Sequence, residues 1–305
     1  MTSKPDNSPL SPDRTRIGFV GIGNMGTPMA GHLVKAGWRV CVYDVDGEKA
    51  RSFVQAHGGT ACGSLAEVGR QSDVVITMLP DGGIVRRVVL GDGASDCLVR
   101  GLARGAIVID MSSSDPVGTR ELGAELARLG MSLLDAPVSG GVRGAVAATL
   151  AIMVGGDAAL AERCAPLLSA MGRRFYAGTL GSGHAVKVLN NYVSAAGLAA
   201  AGEALIIGAR FGIEPKVMLD IVNASTGRNN STENKFAQFI FNKKFNSGFS
   251  LGLMAKDLSL AMGVAKAVKV DAGLGQACLQ LWQEAERELG GSADHTEVVR
   301  HLGEL

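Results

Sequence analysis

Lys187 and Asn191 close the segment Gly178-Thr-Leu-Gly-Ser-Gly-His-Ala-Val-Lys-Val-Leu-Asn-Asn. On a helix that four-residue spacing sets both side chains on one face. Lysine exchanges protons, and asparagine both donates and accepts hydrogen bonds. By default such a pair is a solvated face, because long charged side chains are mostly exposed. Here the neighbours Ala185, Val186, Val188, Leu189 and Val193 are apolar, and a lysine held against an apolar surface titrates below its free value. Glycines just ahead of the helix let backbone or a ligand come close. The pair is a candidate for proton transfer.

A second chemistry-bearing stretch lies near the N-terminus. The apolar run Arg16–Val20 leads directly into Gly21-Ile22-Gly23-Asn24-Met25-Gly26. A helical pattern through Met29, Leu33 and Val34 stops at Gly37, and a second apolar run, Arg39–Tyr43, ends in Asp44. Strand, G-x-G-x-x-G turn, helix and strand with a terminal acid make a dinucleotide-binding fingerprint, with Asp44 at the spacing that meets the adenosine ribose. Glycines alone say little in a chain that has 42 of them; the βαβ setting supplies the meaning. Gly21 permits the tight turn, Gly23 the approach of the pyrophosphate and Gly26 the close helix–strand contact, while the helix N-terminus offers N–H groups to phosphate. A carboxylate at Asp44 accepts from ribose hydroxyls and repels a 2′-phosphate, so NAD is expected over NADP. Val45 and Asp46 supply no arginine for that phosphate, and Arg51 lies two turns into the next helix. The plainer role for Asp44 is to cap the helix that starts near Gly47.

These two motifs need a scaffold, and 305 residues give room for two domains. Hydrophobic residues make up 47% and mean hydropathy is +0.20, which fits a well-buried globular enzyme. A net charge of +1 gives no reason to expect a nucleic-acid partner. Cys41, Cys62, Cys97, Cys164 and Cys278 are scattered and have no C-x-x-C spacing. They read as reduced, mostly buried thiols of a cytoplasmic protein with no metal site. The longest uncharged helical stretch, residues 188–202, is too short to span a membrane and carries Asn190 and Asn191, so no membrane partner is expected. Residues 1–14 are polar and rich in Pro and Ser, and are expected to form a flexible tail rather than a secretion signal.

Between residues 15 and 180 short apolar runs alternate with helical ones. Strands are expected at 73–79, 106–110, 132–135, 149–154 and 174–176, besides the two already named. That alternation predicts an α/β domain with a largely parallel, doubly wound sheet. From residue 181 to the C-terminus the strand signal vanishes. One long helix is expected over 184–211, with shorter ones at 215–224, 231–241, 253–268 and 275–289: an all-α domain joined by the long helix. The boundary near 180 places Lys187 beside it.

Two more motifs complete the candidate site. Asp135-Ala-Pro-Val-Ser139-Gly140-Gly141 follows an expected strand. The Ser139 hydroxyl and the Gly140 and Gly141 amides suit a carboxylate, although Ser and Gly also dominate ordinary turns. Lys256-Asp257-Leu258 sits in a helix otherwise apolar, through Leu251, Leu253, Met254, Leu260 and Ala261. On its own the pair reads as a partly buried ion pair.

Together the four motifs, in this order and spacing, resemble the β-hydroxyacid dehydrogenase family, which includes 3-hydroxyisobutyrate dehydrogenases and tartronate semialdehyde reductases. The resemblance runs from Arg16 to the C-terminal helices. It implies that Lys187 is catalytic and that Ser139, Gly140, Gly141 and Asn191 hold the substrate. It further implies that Leu79, Pro80 and Ser113 line the cofactor path and that Lys256 and Asp257 lie near the nicotinamide. One departure is Ala148-Thr149, where similar proteins commonly read Gly-Thr; it bears on local backbone geometry.

The implied activity is NAD(P)-dependent hydride transfer between a small 3-hydroxy acid and its aldehyde or keto acid, with Lys187 as general acid/base and no metal. A decarboxylating 6-phosphogluconate dehydrogenase resembles the fold but has a much larger helical domain. An imine reductase is an alternative, but such proteins usually lack the lysine. A catalytically inactive nucleotide-binding interaction module is another, disfavoured by retention of Lys187, Ser139 and Asn191. The resemblance also suggests a homodimer or homotetramer. The substrate's far end is unassigned by these motifs. Arg228, in the polar segment 225–234, is the candidate for it, the competing reading being that Asn229, Asn230 and Ser231 cap the next helix.

Overall fold

A computed structural model of the chain describes residues 8–304. Runs of β-branched residues buried on both faces build the N-terminal half. The strands are β1 (Arg16–Val20), β2 (Arg39–Tyr43), β3 (Thr60–Ala61), β4 (Val74–Thr77), β5 (Ile107–Asp110), β6 (Ser132–Asp135), β7 (Val138–Ser139), β8 (Leu150–Gly155) and β9 (Gly172–Gly178). Their order is β3-β2-β1-β4-β5-β6-β8-β7, with β9 paired to β8. The first six are parallel, as expected; β8 runs antiparallel to β6 and β7 and parallel to β9. β3 and β7 have two residues each, too few to show a period in sequence.

Helices pack on both faces: α1 (Gly26–Lys35), α2 (Gly47–His57), α3 (Leu65–Gln71), α4 (Gly82–Leu90), α5 (Pro116–Arg128), α6 (Gly141–Ala147), α7 (Ala158–Arg163) and α8 (Ala165–Ser169). Alternate strand residues feed two separate cores. Ile17, Phe19, Val74, Ile76, Ile107 and Ile109 belong to one, and Val75, Val108 and Leu133 to the other. A parallel sheet covered on both faces produces such unbroken apolar runs.

The remaining helices are α9 (Ser182–Phe211), α10 (Pro215–Asn223), α11 (Asn230–Asn234), α12 (Leu251–Ala267), α13 (Gly273–Leu289) and α14 (Val298–Leu302). Phe236–Ile240 forms one wider, π-type turn after α11. Their core includes Leu198, Leu205, Phe236, Leu251, Leu258 and the fully buried Trp282. Contacts divide the chain into two compact units, one ending at Lys187 and the other beginning at Val188.

Three expectations need correction. Residues 1–7 of the expected tail lie outside the described residues, but the rest of it is anchored: Leu10 is buried and its amide donates to the Arg163 carbonyl at 2.9 Å. The long helix has 30 residues, and an 18-residue window of it reaches a mean hydropathy of 1.5, long and apolar enough to cross a membrane by length and composition. The charge-free stretch 188–202 is only its middle, and the single Glu203 does not interrupt the helix expected over 184–211. Its inward stripe, including Ala195, Leu198, Leu205 and Ile206, is packed in the helical core. Finally, Val186, Leu189 and Val193 point outward, at 43%, 41% and 69% exposure. The apolar setting read around Lys187 is therefore partly a surface.

Candidate active site

The glycine turn has the geometry that a dinucleotide requires. Gly21 has φ of 100°, and its amide donates to the Tyr43 carbonyl at 2.9 Å. A Cβ at Gly26 would lie 1.8 Å from the Gly21 carbonyl oxygen, so helix α1 sits hard against the turn. At Gly23 a Cβ would meet nothing within 4 Å. The middle glycine thus faces open space where a pyrophosphate could approach the backbone, next to the exposed Asn24 and the N-terminus of α1. Ile22 is buried behind it and Met25 partly so. These residues fit the group.

Asp44 ends β2 and ties it to the turn, its Oδ2 accepting from the Ile22 amide at 2.8 Å and its Oδ1 from Asp46 at 2.9 Å. The α2 cap is Asp46, whose carboxylate accepts from Glu48 N; Asp44 is one step removed from that role. Each Asp44 oxygen keeps a lone pair for a ribose hydroxyl. Arg51 is exposed and already bonded to Glu48 at 2.5 Å. Further along the strand ends, the Leu79 amide donates to Ser112 Oγ at 2.9 Å, with Pro80 exposed and Ser113 partly exposed beside them.

Ser139 lies in β7 opposite Ala151. Gly140, with φ of 128°, caps α6, and both Gly140 and Gly141 are exposed. The turn is thus accessible at its two glycines, with Ser139 partly exposed beside them.

Lys187 is 8% exposed and Asn191 7%; both lie on α9, one turn apart. What holds the start of α9 is Asp135, which the sequence offered only as the first letter of a motif. Its fully buried carboxylate accepts from Gly181 N and His184 N, both at 2.8 Å. A carboxylate at a helix N-terminus satisfies orphan amides and complements the positive dipole end. Space for it depends on missing side chains: a Cβ at Gly155 would come within 2.4 Å of Asp135 Oδ1, and one at Gly183 within 2.9 Å of Oδ2.

His184, in the same first turn, is also fully buried. Its Nδ1 lies 2.8 Å from Thr119 Oγ1 and its Nε2 3.1 Å from the Ser112 carbonyl. The Ser112 carbonyl can only accept, so Nε2 carries a proton and donates to it. Asp110, at 3.7 Å from His184 Nε2, is itself fixed by Thr77 Oγ1, Ser112 N and Ser114 Oγ. Strand ends β5 and β6 thereby set the turn of α9 that precedes Lys187. None of these contacts has a sequence signal beyond the presence of buried-type polar residues after strands.

In the helical unit Asn191 Nδ2 donates to Asp257 Oδ2 at 2.6 Å. Asp257 is buried, and Lys256 Nζ stands 3.4 Å from its other oxygen. The Lys-Asp pair is thus an ion pair that also orients the asparagine. Arg228 is exposed and lies 3.6 Å from Glu233. Asn229 caps α11 through Ser231 N and Thr232 N, with Thr232 Oγ1 reciprocating. The capping reading of this segment describes its backbone.

Known proteins resemble this chain over most of its length. Residues 16–181 match the family described as the NAD binding domain of 6-phosphogluconate dehydrogenase. Residues 181–302 match the NAD-binding family of NADP-dependent 3-hydroxyisobutyrate dehydrogenase. The chain belongs to the β-hydroxyacid dehydrogenase family. It is 37% identical over 287 residues to the 2-(hydroxymethyl)glutarate dehydrogenase of Eubacterium barkeri, covering 93% of this chain and 94% of that protein. To the NAD-dependent L-serine dehydrogenase of Pseudomonas aeruginosa it is 38% identical over 275 residues, with 88% and 91% covered. A Mycobacterium tuberculosis 3-hydroxyisobutyrate dehydrogenase, solved with L-serine, superposes with a TM-score of 0.86 at 36% identity, covering 94% of this chain and 99% of that one. Like its family, this β-hydroxyacid dehydrogenase is an NAD(P)-dependent oxidoreductase of hydroxy acids. Imine reductase structures at 18% identity share the fold.

Proposed function

We propose that this dehydrogenase oxidises the hydroxyl of a small 3-hydroxy acid, reversibly, with Lys187 as general acid/base. The observation that carries the reading is Lys187 itself, 8% exposed on a helix whose first turn is anchored by a buried carboxylate. In oxidation a neutral Lys187 takes the hydroxyl proton as the hydride leaves the same carbon; in reduction its ammonium returns the proton. Bound NAD supplies the hydride acceptor. Ser139 with the Gly140 and Gly141 amides holds the substrate carboxylate. Asn191, oriented by Asp257, hydrogen-bonds the reacting oxygen or the acid. Leu79, Pro80, Ser113 and Lys256 flank the cofactor.

The substrates named for the relatives share one unit, a hydroxymethyl group beside a carboxylate. The monocarboxylate 3-hydroxyisobutyrate, L-serine and the dicarboxylate 2-(hydroxymethyl)glutarate all carry it. That unit is what Lys187, Asn191 and the Ser139 turn are suited to hold. Arg228 is an outer contact for a polar tail, and it must leave Glu233 to act. NAD is the preferred cofactor: a carboxylate at Asp44, tied to the glycine turn, suits ribose hydroxyls and repels a 2′-phosphate, and Arg51 is held by Glu48.

The N-terminal unit carries the dinucleotide, the Ser139 turn and Lys187, and the helical unit carries Asn191 and the assembly contacts. A second copy of the chain is the partner for the outer face of α9. Leu189, Val193, Ala200, Ile207 and Phe211 fall within about 60° of arc on that helix, and Ile207 and Phe211 are 68% and 86% exposed. An apolar stripe of that length on a polar-rimmed surface marks an interface. Five buried free cysteines suit a reducing, cytoplasmic setting. Neither nucleic acid nor membrane enters this reading.

Absorbance at the reduced-nicotinamide band, over a panel of 3-hydroxy acids with NAD and NADP, tests the activity. Lys187→Ala should lower kcat by about 10²–10⁴-fold while NAD binding, measured by calorimetry, stays near wild type. Retention of activity within tenfold would remove Lys187 from the mechanism.

A further inference from the structure

Two turns beyond Lys187, α9 carries Ser194 on the same face as Lys187 and Asn191. At about 100° per residue the three fall within roughly 60° of arc. Ser194 Oγ accepts a hydrogen bond from Lys235 Nζ at 3.3 Å. Lys235 sits where α11 gives way to the π-type turn Phe236–Ile240, a kind of helix irregularity that recurs at functional sites. Among the described residues no carboxylate lies within ion-pair distance of its ammonium. The charged groups nearest its side are Asp294 and His295. The Asp294 carboxylate is occupied by Ser247 Oγ, Gly248 N, Thr296 N and Thr296 Oγ1. Burial pushes the Lys235 ammonium down to about 8, with Asp294 pulling the other way. A largely desolvated cation without a counter-ion is costly to keep unless something anionic completes it.

We propose that Lys235, with Ser194, binds a second acidic group of the substrate, making the enzyme selective for hydroxymethyl dicarboxylates. This rests on the Lys187 reading above. Ser194 is about 10 Å along α9 from Lys187 at the helical rise. In 2-(hydroxymethyl)glutarate the second carboxyl carbon lies five bonds beyond the reacting hydroxyl oxygen, and with a hydrogen bond of about 2.8 Å at either end the molecule spans that length. Arg228, exposed and paired with Glu233, is a weaker candidate for the same role than the partly buried Lys235, whose hydrogen-bond partner is Ser194.

The test uses full-length protein with NAD, comparing 2-(hydroxymethyl)glutarate with 3-hydroxyisobutyrate. Wild type should favour the dicarboxylate in kcat/KM. Lys235→Met should raise KM for it by about 30-fold or more, as when one member of a desolvated charge pair is removed, and change the monocarboxylate less than threefold. Lys235→Arg should recover most of the selectivity, which a packing role would not. Equal effects on both substrates, or none on either, overturn the proposal, as does a wild type without dicarboxylate preference. A second readout does not depend on turnover. Glutarate, which has no hydroxyl to oxidise, should raise the melting temperature of the NAD-bound wild type and of Lys187→Ala, but not of Lys235→Met. If glutarate stabilises only the lysine-bearing proteins while neither hydroxy acid is oxidised, the Lys187 reading fails and the anion site stands. If glutarate stabilises none, the anion site fails whatever the activity.

Discussion

Replacing Asp135 by asparagine changes one oxygen to an NH2 group and leaves the shape almost intact. In the native protein both carboxylate oxygens accept buried backbone N–H groups at the start of α9, each at 2.8 Å. The amide can accept only one. The other N–H then faces a donor, and hydrogen bonds to charged groups are worth about 1.5–3 kcal/mol each. The remaining bond loses its charge assistance, and the helix N-terminus loses an anion worth about 0.3–1 kcal/mol or more when buried. Against this stands relief from burying a carboxylate, itself several kcal/mol in scale. The two amides, with the helix end behind them, already compensate that burial, so a net loss of about 2–4 kcal/mol is expected. Urea unfolding followed by tryptophan fluorescence measures it. Trp38 lies in the N-terminal core and Trp282 in the helical core, so a Trp282→Phe background isolates the affected unit. The variant should also lose kcat by about 10–100-fold, because Lys187 sits one turn beyond His184 and small misplacements of reacting groups are costly. A midpoint within about 0.5 kcal/mol of the parent would show that desolvation dominates and that Asp135 does not anchor the helix.

Ala148 closes α6 with φ of 54° and ψ of 37°, a left-handed position where Ala is strained by roughly 1–2 kcal/mol; Ala148→Gly should raise the melting temperature by about 2–4 °C per kcal/mol regained, and a decrease would count against it. Asp44→Ser should narrow the NAD preference measured by kcat/KM and weaken both cofactors somewhat, since Asp44 also supports Ile22 and Asp46; a wild type that prefers NADP would reverse the assignment. Burial and the nearby Lys235 charge hold the His295 ring down to about 4 from 6.5. The unfolded chain therefore takes up a proton that the native state refuses as pH falls from 6.5 toward 4, and stability drops by about 3 kcal/mol across that window. Denaturant titrations of Trp282 fluorescence should show the slope already between pH 6.5 and 5, and His295→Gln should flatten it; an unchanged slope in that variant would assign it elsewhere.

Local chemistry was legible from the residues in order. The turn at Gly21–Gly26 and the placing of Lys187 and Asn191 on one helix face depend on neighbours a few positions apart, where backbone geometry alone fixes who faces whom, and the acid at Asp44 follows from the βαβ spacing. Parallel strands announced themselves because burial on both faces leaves no polar positions. The tertiary structure decided the partners. Asp135 accepts from the Gly181 amide, 46 residues away, at the start of α9, Asp257 orients an asparagine 66 residues earlier, and Lys235 meets Ser194 across 41. Helical periodicity reveals that α9 carries apolar stripes, but not which one is covered: Leu198 and Leu205 are buried, while Val193, Ile207 and Phe211 are exposed. A stripe acquires its meaning from what packs against it, and that is fixed by the fold of distant segments rather than by any spacing within the helix.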